Sequence, residues 1–178
     1  MRKHGVMAVM LIVMVLFGHQ NLSAQELGPV EKVDKYNFSF QPPKDWKSNI
    51  TYLTWMSNVQ VDGITPNMNI IATPVLPVVG GFEANVDLIV KDVNESGPGN
   101  GLYILDTAKV EINGRKARFL YGQIPSNGIM FRTLQVIFDG PKEYVMFTYI
   151  INEVKWTQYK PLYEASAKTV KFRGDPRK

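Results

Sequence analysis

The chain has no cysteine and very little histidine. Its 178 residues contain two His, and both of them, His4 and His19, lie within the first 24 residues. The absence of Cys excludes disulfides, thiolate nucleophiles, Cys-ligated zinc and the acylated cysteine of a bacterial lipoprotein. Residues 25–178 also lack the imidazole base of Ser-His-Asp and Cys-His centres. We therefore predict no catalytic, cofactor-binding or metal-ligating residues, no cofactor and no lipid anchor.

The N-terminus has the three parts of a secretory signal peptide. Arg2 and Lys3 form a positive start, residues 6–17 are an unbroken apolar run, and Ser23-Ala24 provides small residues for cleavage. We predict cleavage after Ala24, which removes residues 1–24. The alternative is a retained N-terminal membrane anchor, although 12 apolar residues are fewer than the roughly 18 that usually span a bilayer.

The net charge beyond the predicted signal peptide is low, and the basic side chains are scattered along the sequence. Residues 25–178 carry 18 basic and 16 acidic side chains, a formal charge of +2, because Arg2 and Lys3 account for the rest of the +4. Nucleic-acid binders usually cluster Lys and Arg on one face, so we predict no nucleic-acid partner. We predict a flexible polar segment over 25–34, a single domain over 35–173 and a basic tail over 174–178.

Hydrophobic periodicity predicts several strands and two helices. Tyr36, Phe38 and Phe40 alternate with polar residues, as in a half-buried strand. Residues 50–61 and 68–72 predict two further strands, the first either buried on both faces or an edge strand with an aromatic surface. Phe82 begins an apolar stripe at helical spacing that continues to residue 93.

The second half of the sequence predicts an antiparallel meander followed by a helix. Residues 102–112, 116–122, 129–138 and 143–151 each have strand character, and Asn113-Gly114 is a strong hairpin signal. A last helix begins near Thr157. Strands in succession with segregated helices are typical of an α+β fold, so we predict an antiparallel β-sheet flanked by helices.

Aromatic side chains are the remaining candidates for a binding surface. Rings with polar tips are enriched at interfaces, and six residues could line a groove: Trp46, Tyr52, Trp55, Trp156, Tyr159 and Tyr163. Core packing is the competing interpretation for each of them. It is weakest for Trp55, because neither alternate set of residues in 50–61 is clearly inward-facing. We take Trp55 and Tyr52 as candidate binding residues.

Several motifs resemble the PsbP-like and DcrB-like families. The opening strand with its proline corner, Tyr36-x-Phe38-x-Phe40-x-Pro42-Pro43-x-x-Trp46, is similar to theirs, and so is the central hairpin Ile112-Asn113-Gly114-Arg115-x-Ala117. The C-terminal stretch over 159–172 resembles their closing helix and final short strand. The resemblance covers about residues 34–173 and implies the Mog/PsbP-like α/β/α sandwich around an antiparallel sheet.

The resemblance also implies a kind of function. Members of these families are mostly accessory proteins, among them photosystem II extrinsic subunits and envelope lipoproteins, and they offer no catalytic residues to transfer. We predict a non-enzymatic module, exported to the periplasm or secreted, that acts through an unidentified protein partner in the cell envelope. The alternative is a small-molecule or lipid carrier with a pocket between sheet and helix. After signal cleavage, we predict no transmembrane segment.

Overall fold

Two antiparallel sheets carry most of the described chain. The structure, a computed structural model, describes residues 26–49, 51–75, 79–96, 101–140 and 143–174. The strands are β1 (Glu31–Val33), β2 (Phe38–Phe40), β3 (Lys47–Asn49), β4 (Thr54–Met56), β5 (Asn67–Pro74), β6 (Tyr103–Ile112), β7 (Arg115–Ser126), β8 (Ile129–Phe138), β9 (Glu143–Asn152) and β10 (Lys171–Phe172). The helices are α1 (Gly81–Glu95) and α2 (Trp156–Lys168), and short 3-10 turns occupy Asp34–Tyr36 and Glu153–Lys155.

The larger sheet has seven strands in the order β3-β4-β5-β9-β8-β7-β6, and the smaller has the order β1-β2-β10. Every strand pair is antiparallel. The β6–β7 hairpin turns at Asn113-Gly114, whose φ angles of 50° and 77° are those that a two-residue hairpin loop requires. The predicted α+β architecture, an antiparallel sheet flanked by helices, is confirmed.

The main core lies between the two sheets and α2. Phe38 and Phe40 of β2 contact Phe147 of β9 at ring-centroid distances of 5.3 and 5.4 Å. Tyr149 of β9 stacks on Tyr163 of α2 at 4.9 Å. Aromatic pairs in such arrangements add to the free energy of area burial, so these contacts fix both the small sheet and α2 on the same face of the large sheet.

A second, smaller core joins α1 to the opposite face of the large sheet. Phe82 and Val86 of α1 pack against Leu120 of β7, Ile137 of β8 and Tyr144 of β9. The apolar spacing of residues 82–93 predicted this inner face, because residues three and four apart share one side of a helix. The large sheet is therefore covered by α1 on one face and by α2 with the small sheet on the other.

The N-terminal part differs from the sequence prediction. Residues 25–34 were expected to be flexible, but residues 31–33 form β1, and Val33 is buried in the main core. Gly28 N also donates a hydrogen bond to Pro42 O at 2.7 Å. The prediction of a wholly flexible segment is wrong for these residues, because Val33 and the strand pairing with β2 tie them to the core.

The strand predicted over 50–61 is also much shorter. Only residues 54–56 form β4, and Leu53 before them has a φ of 50°, a left-handed conformation that a strand cannot contain. The predicted signal peptide over 1–24 lies outside the described residues, as do residues 175–178 of the predicted tail.

Candidate functional site

The two predicted binding residues have opposite environments. Trp55 is fully buried, contacts Phe40 edge to face at 5.0 Å, and donates a hydrogen bond from Nε1 to Glu31 Oε2 at 2.7 Å. Tyr52 is 75% exposed on the turn before β4. The structure therefore does not bring them together on one surface. Trp55 is a core residue, which corrects the prediction for it, whereas a binding role for Tyr52 stays a prediction.

The other aromatic candidates lie on α2 or against it. Trp46 and Trp156 each contact Tyr163 edge to face, at 6.0 and 6.5 Å, and Tyr159 contacts it at 5.7 Å. These contacts agree with the core interpretation rather than with an open groove. They also fill the space between the large sheet and α2.

A partly exposed group of polar residues borders this aromatic cluster. Tyr121 donates its hydroxyl proton to Glu164 Oε1 at 2.9 Å, and Lys160 Nζ lies 4.4 Å from the centre of the Tyr121 ring. Burial raises the pKa of Tyr121 far above its ordinary value, and the Glu164 carboxylate adds to the effect. The phenol is therefore neutral at physiological pH, and the charges beside it are mutually compensated. This arrangement holds α2 against β7.

A buried cation anchors α1 on the other face. The side chain of Arg118 is 8% exposed, and its Nη1 and Nη2 atoms lie 2.5 Å from Glu83 Oε2 and 2.6 Å from Asp87 Oδ1. Asn94 of the same helix bonds the backbone N–H and carbonyl of Ile104 at 2.8 and 3.1 Å. Both contacts lie on the side of α1 nearest β6. The helix is thus fixed over β6, β7 and β8, and it also covers Tyr144 and Met146 in the first half of β9.

The rest of that sheet face has no helix over it in the described part of the chain. Because side chains alternate along a strand, the register places one set of residues on the α1 side. Ile71 lies opposite Met146, and Met146 lies opposite Ile137 of the α1 core. We name the uncovered set on β4, β5, β8 and β9 the open face: Thr54, Met56, Asn67, Asn69, Ile71, Thr73, Gln135, Thr148 and Ile150. Met146 itself packs against the α1 core.

On β4, β5, β8 and β9 the open face carries no charged side chain, although much of it is accessible; the nearest charge on the same face is Lys47 of β3, which lies opposite Met56. Met56 and Ile71 are 47% and 44% exposed, and Asn69 is also exposed. On the same sheet face, the β6–β7 half carries Lys109 and Glu111. Depletion of charge together with exposed Met and aliphatic side chains is typical of protein interfaces. The open face is the surface of the described chain that best fits contact with another molecule.

Within the described ranges, no three His, Cys, Asp or Glu side chains are grouped so as to hold a metal ion. Of the helices that the structure describes, neither has the length and apolar character needed to cross a membrane.

Comparison with known proteins finds likeness in structure rather than in sequence. No family model and no curated protein sequence matches the chain. A Pseudomonas aeruginosa protein of unknown function, PA94, described as a putative regulator, has a TM-score of 0.60 at 13% identity, covering 84% of this chain and 99% of that one. The cyanobacterial PsbP of Synechocystis has a TM-score of 0.60 at 13% identity, covering 82% and 92%. The chain has the PsbP-like fold.

A third solved structure extends this result. LpqN of Mycobacterium tuberculosis, which is involved in cell envelope biogenesis, is similar to this chain with a TM-score of 0.61 at 11% identity, covering 83% of this chain and all of that one. The predicted resemblance is thereby confirmed for the fold. At these identities the likeness carries no information on partners or activity.

The hairpin motif that suggested the PsbP-like fold has a structural role. Asn113 Nδ2 donates hydrogen bonds to Val170 O at 2.7 Å and to Lys168 O at 3.3 Å. The Arg115 guanidinium lies 3.8 Å from the centre of the Phe172 ring, and its Nη1 donates to Asp139 O at 2.7 Å. The motif therefore holds the C-terminal strand in place.

Sequence reasoning missed the open face. The short apolar run over 68–72 predicted a strand but not which of its sides is covered, since this depends on where α1 lies. One sequence signal was present: no charged residue occurs from 64 to 82 or from 144 to 152. An absence of charge on both sides of two strands is unusual for a face that water alone contacts.

Proposed function

We propose that the chain is an exported, non-enzymatic accessory module that binds a protein partner in the cell envelope through the open face. The observation that carries the proposal is the uncharged, partly apolar and accessible character of this surface. The missing His and Cys in residues 25–178 add support, because the commonest catalytic groups are absent. The involvement of LpqN in cell envelope biogenesis and the predicted signal peptide favour the same compartment.

A surface site is favoured over an internal pocket. The space between α1 and the sheet is occupied by Phe82, which contacts Tyr144 at 5.4 Å, and by Val86, which is fully buried. The space beneath α2 is occupied by the stacked Tyr149 and Tyr163. A lipid or small-molecule carrier would need room at one of these places.

A cross-linking experiment tests the proposed function. A photoreactive side chain is placed at Met56 in the exported protein, and envelope fractions of the source organism are illuminated. We expect one saturable cross-linked protein, lost with Ile71→Glu and kept with Leu105→Glu. Leu105 on β6 is the matched control, because it is 49% exposed and Ile71 is 44% exposed. Cross-linking that is equal in both variants, or a ligand of discrete mass retained in native mass spectrometry, would contradict the proposal.

The proposed export has its own test. The mass of the protein recovered from the envelope fraction is expected to match residues 25–178, with Gln25 at the N-terminus. Recovery of the intact chain in the membrane fraction would instead favour the N-terminal anchor.

A further inference from the structure

The strand β5 extends beyond its neighbour β4, which leaves part of one edge without a partner. β4 pairs with β5 over residues 67–69 and Ile70 N–H donates to Leu53 O at 3.0 Å, whereas β9 pairs with β5 over 67–74. The left-handed backbone of Leu53, with a φ of 50°, turns the chain away from β5 at this point. In the described part of the chain, residues 71–74 therefore have a strand on one side only. We name this stretch the β5 edge.

The alternation of hydrogen bonds along β5 shows which backbone groups are free at the β5 edge. Because Ile70 N–H bonds Leu53 O, the even-numbered residues of β5 direct their backbone groups to the β4 side. The register with β9 is uninterrupted, so this alternation continues to the end of the strand. The N–H and C=O of Ala72 and the C=O of Pro74 therefore point away from β9. Within the described ranges, these three groups have no hydrogen-bond partner.

The two outer strands of the large sheet, in contrast, have features that oppose the addition of a strand. β3 has three residues, one of which is Lys47. β6 has a break in register between Ile104 and Asp106, and the Asp106 carboxylate accepts the backbone N–H of Thr107 at 2.8 Å. Short length, bulges and charge are the means by which proteins protect sheet edges. The β5 edge has neither a bulge nor a charge, because no charged residue occurs from 64 to 82.

The charged side chains that border the open face lie at the other end of β5. Lys47 lies opposite Met56, which pairs with Asn67 at the start of β5. Asp62 Oδ2 accepts a hydrogen bond from Asn152 Nδ2 at 3.3 Å, and Asn152 lies on β9 just past the level of Asn67. The end of the open face that adjoins the β5 edge is therefore the part that favours uncharged side chains.

From these features we propose that the β5 edge binds an extended segment of the partner protein, which adds a short strand to the large sheet. The segment accepts the N–H of Ala72 and donates N–H groups to Ala72 O and Pro74 O. Its alternate side chains lie beside the exposed Ile71 and Thr73 and are uncharged, apolar or β-branched. This inference rests on the proposed function and specifies how the partner is bound.

A second copy of the chain fits the β5 edge less well than such a segment. Pairing of Ala72 with Pro74 of the other copy would leave Ala72 O without a donor, because proline has no N–H. Pairing of Ala72 with Ala72 would place Pro74 of the other copy opposite Ile70, where Leu53 already lies. A segment that has an N–H at both positions avoids these conflicts.

An uncharged peptide tests the backbone contacts. The probe is Thr-Ile-Thr-Val-Thr, acetylated and amidated, whose Ile and Val lie on one side of an extended chain. It is titrated into isotope-labelled protein that has been purified after export, and amide exchange is followed by NMR. In the free protein we expect fast exchange at Ala72 between slowly exchanging neighbours, because the amides of Ile71 and Thr73 face β9. Saturating peptide should slow the exchange of Ala72 at least about tenfold.

Two N-methylated forms of the peptide have identical composition and serve as a matched pair. A methyl group on the central Thr blocks the N–H that pairs with Ala72 O and should weaken binding at least about tenfold. A methyl group on the Val replaces an N–H that points away from β5 and should change the affinity by less than about twofold. This comparison needs no variant of the protein.

Two proline variants test the same contact from the side of the protein. Ala72→Pro removes the free N–H of the β5 edge. Glu111→Pro is the control, since Ile112 and Arg115 flank the two-residue turn as the bonded pair and the N–H of Glu111 points away from β7. Ala72→Pro should weaken peptide binding at least about tenfold and abolish envelope cross-linking at Met56, and Glu111→Pro should affect neither. Thermal unfolding of both variants serves as the folding control.

Several outcomes would overturn the inference. These are the absence of saturable binding, equal weakening by the two methyl groups, slowed exchange in β6 instead of at Ala72, and self-association that Ala72→Pro abolishes, which would assign the β5 edge to a second copy. If cross-linking at Met56 is lost in Ile71→Glu but kept in Ala72→Pro, the inference fails and the proposed function stands. Cross-linking that is equal in Ile71→Glu and Leu105→Glu contradicts the proposed function itself.

Discussion

Trp55 Nε1 and Glu31 Oε2 are joined by a hydrogen bond of 2.7 Å that links the large sheet to the N-terminal strand. Trp55 is fully buried, whereas Glu31 is only partly so. The bond satisfies the single donor of the indole ring in the core, and it explains why β1 is ordered although its sequence is polar. A residue that appeared suited to binding is thus part of the contact that closes the main core.

Removing this acceptor is expected to destabilise the protein. Glu31→Ala leaves a buried N–H without a partner, which costs about 1–3 kcal/mol in the free energy of unfolding. Glu31→Gln keeps an acceptor oxygen and should lose less than about 1 kcal/mol. Urea unfolding of both variants measures the difference. Equal losses would show that the carboxylate charge, which both variants remove, matters at this position rather than the acceptor oxygen.

Local sequence pattern was sufficient to predict an element where the spacing of its apolar residues corresponds to the side of the element that is buried. The four-strand meander and α1 were predicted because their apolar residues recur at the spacing of a strand or a helix. The Asn113-Gly114 turn was predictable because its backbone conformation favours those two residues. These elements contain the information for their own structure.

Other elements depend on contacts from distant parts of the chain. All three residues of β3 are exposed, so no apolar alternation marks that strand, and it exists through its pairing with β4. Apolar residues occur in both alternate sets of positions around Trp55, so the local sequence does not show which side of the strand is inward. The side chain is buried because Phe40 packs against it and Glu31 accepts its hydrogen bond. The open face likewise depends on the position of α1, which Arg118 and Asn94 fix across the sheet.

Two Asn-Gly turns of the same geometry allow a matched comparison. Asn113 and Asn127 each have a φ of 50° and are followed by a glycine at 77° and 76°. Only the Asn113 amide reaches the C-terminal segment, at Val170 O and Lys168 O. Asn113→Asp places a carboxylate against two carbonyl oxygens and should cost about 1–3 kcal/mol. Asn127→Asp should change stability by less than about 0.5 kcal/mol.

Thermal and urea unfolding would measure both turn variants. Amide hydrogen exchange in residues 169–173 should accelerate in Asn113→Asp alone, because the hydrogen bonds that hold this segment are lost. Equal destabilisation of the two variants would indicate an effect of the turn itself and no contribution from the contact with the C-terminal segment.

The contacts of Arg118 predict that removing the two carboxylates and removing the cation destabilise the protein by different amounts. The double variant Glu83→Ala, Asp87→Ala leaves a buried guanidinium without a carboxylate and should cost about 3–5 kcal/mol. Arg118→Met should cost less, because the side chains of Glu83 and Asp87 are 32% and 59% exposed and remain hydrated when the cation is gone. Urea unfolding of the two variants shows which of them loses more free energy of unfolding. The reverse order would mean that Arg118 contributes mainly through its packing under α1.

Two buried tyrosines predict loss of stability at alkaline pH. Burial raises the pKa of both Tyr149 and Tyr163 well above the ordinary value of 10.0. The folded chain therefore keeps these protons at pH values where the unfolded chain releases them. Their contribution is complete below pH 10 and decreases as the pH rises above it, by about 1.4 kcal/mol per pH unit for each tyrosine.

Urea unfolding between pH 9 and pH 11.5 measures this dependence. Tyr149→Phe removes one of these ionisations and should reduce the slope above pH 10, although it also loses the hydrogen bond between Tyr149 Oη and Ser166 Oγ and so lowers stability at neutral pH. A slope identical to that of the parent chain would contradict the assignment of the alkaline transition to Tyr149.

Thr133 predicts a gain in stability on removal of a polar group. The residue is fully buried, and its Oγ1 atom has no hydrogen-bond partner. The facing residue is Gly122, where an added Cβ would lie only 2.7 Å from Thr133 Oγ1, so the hydroxyl is enclosed in the sheet without a donor or acceptor to use. Thr133→Val keeps the branched shape and removes the unpaired hydroxyl, which should stabilise the fold by about 1 kcal/mol.

Thr148→Val, at a half-buried position of the open face, is the control, since its hydroxyl can reach water and its loss should bring no comparable gain. Destabilisation by Thr133→Val in thermal unfolding would instead reveal a buried water molecule bound to this hydroxyl.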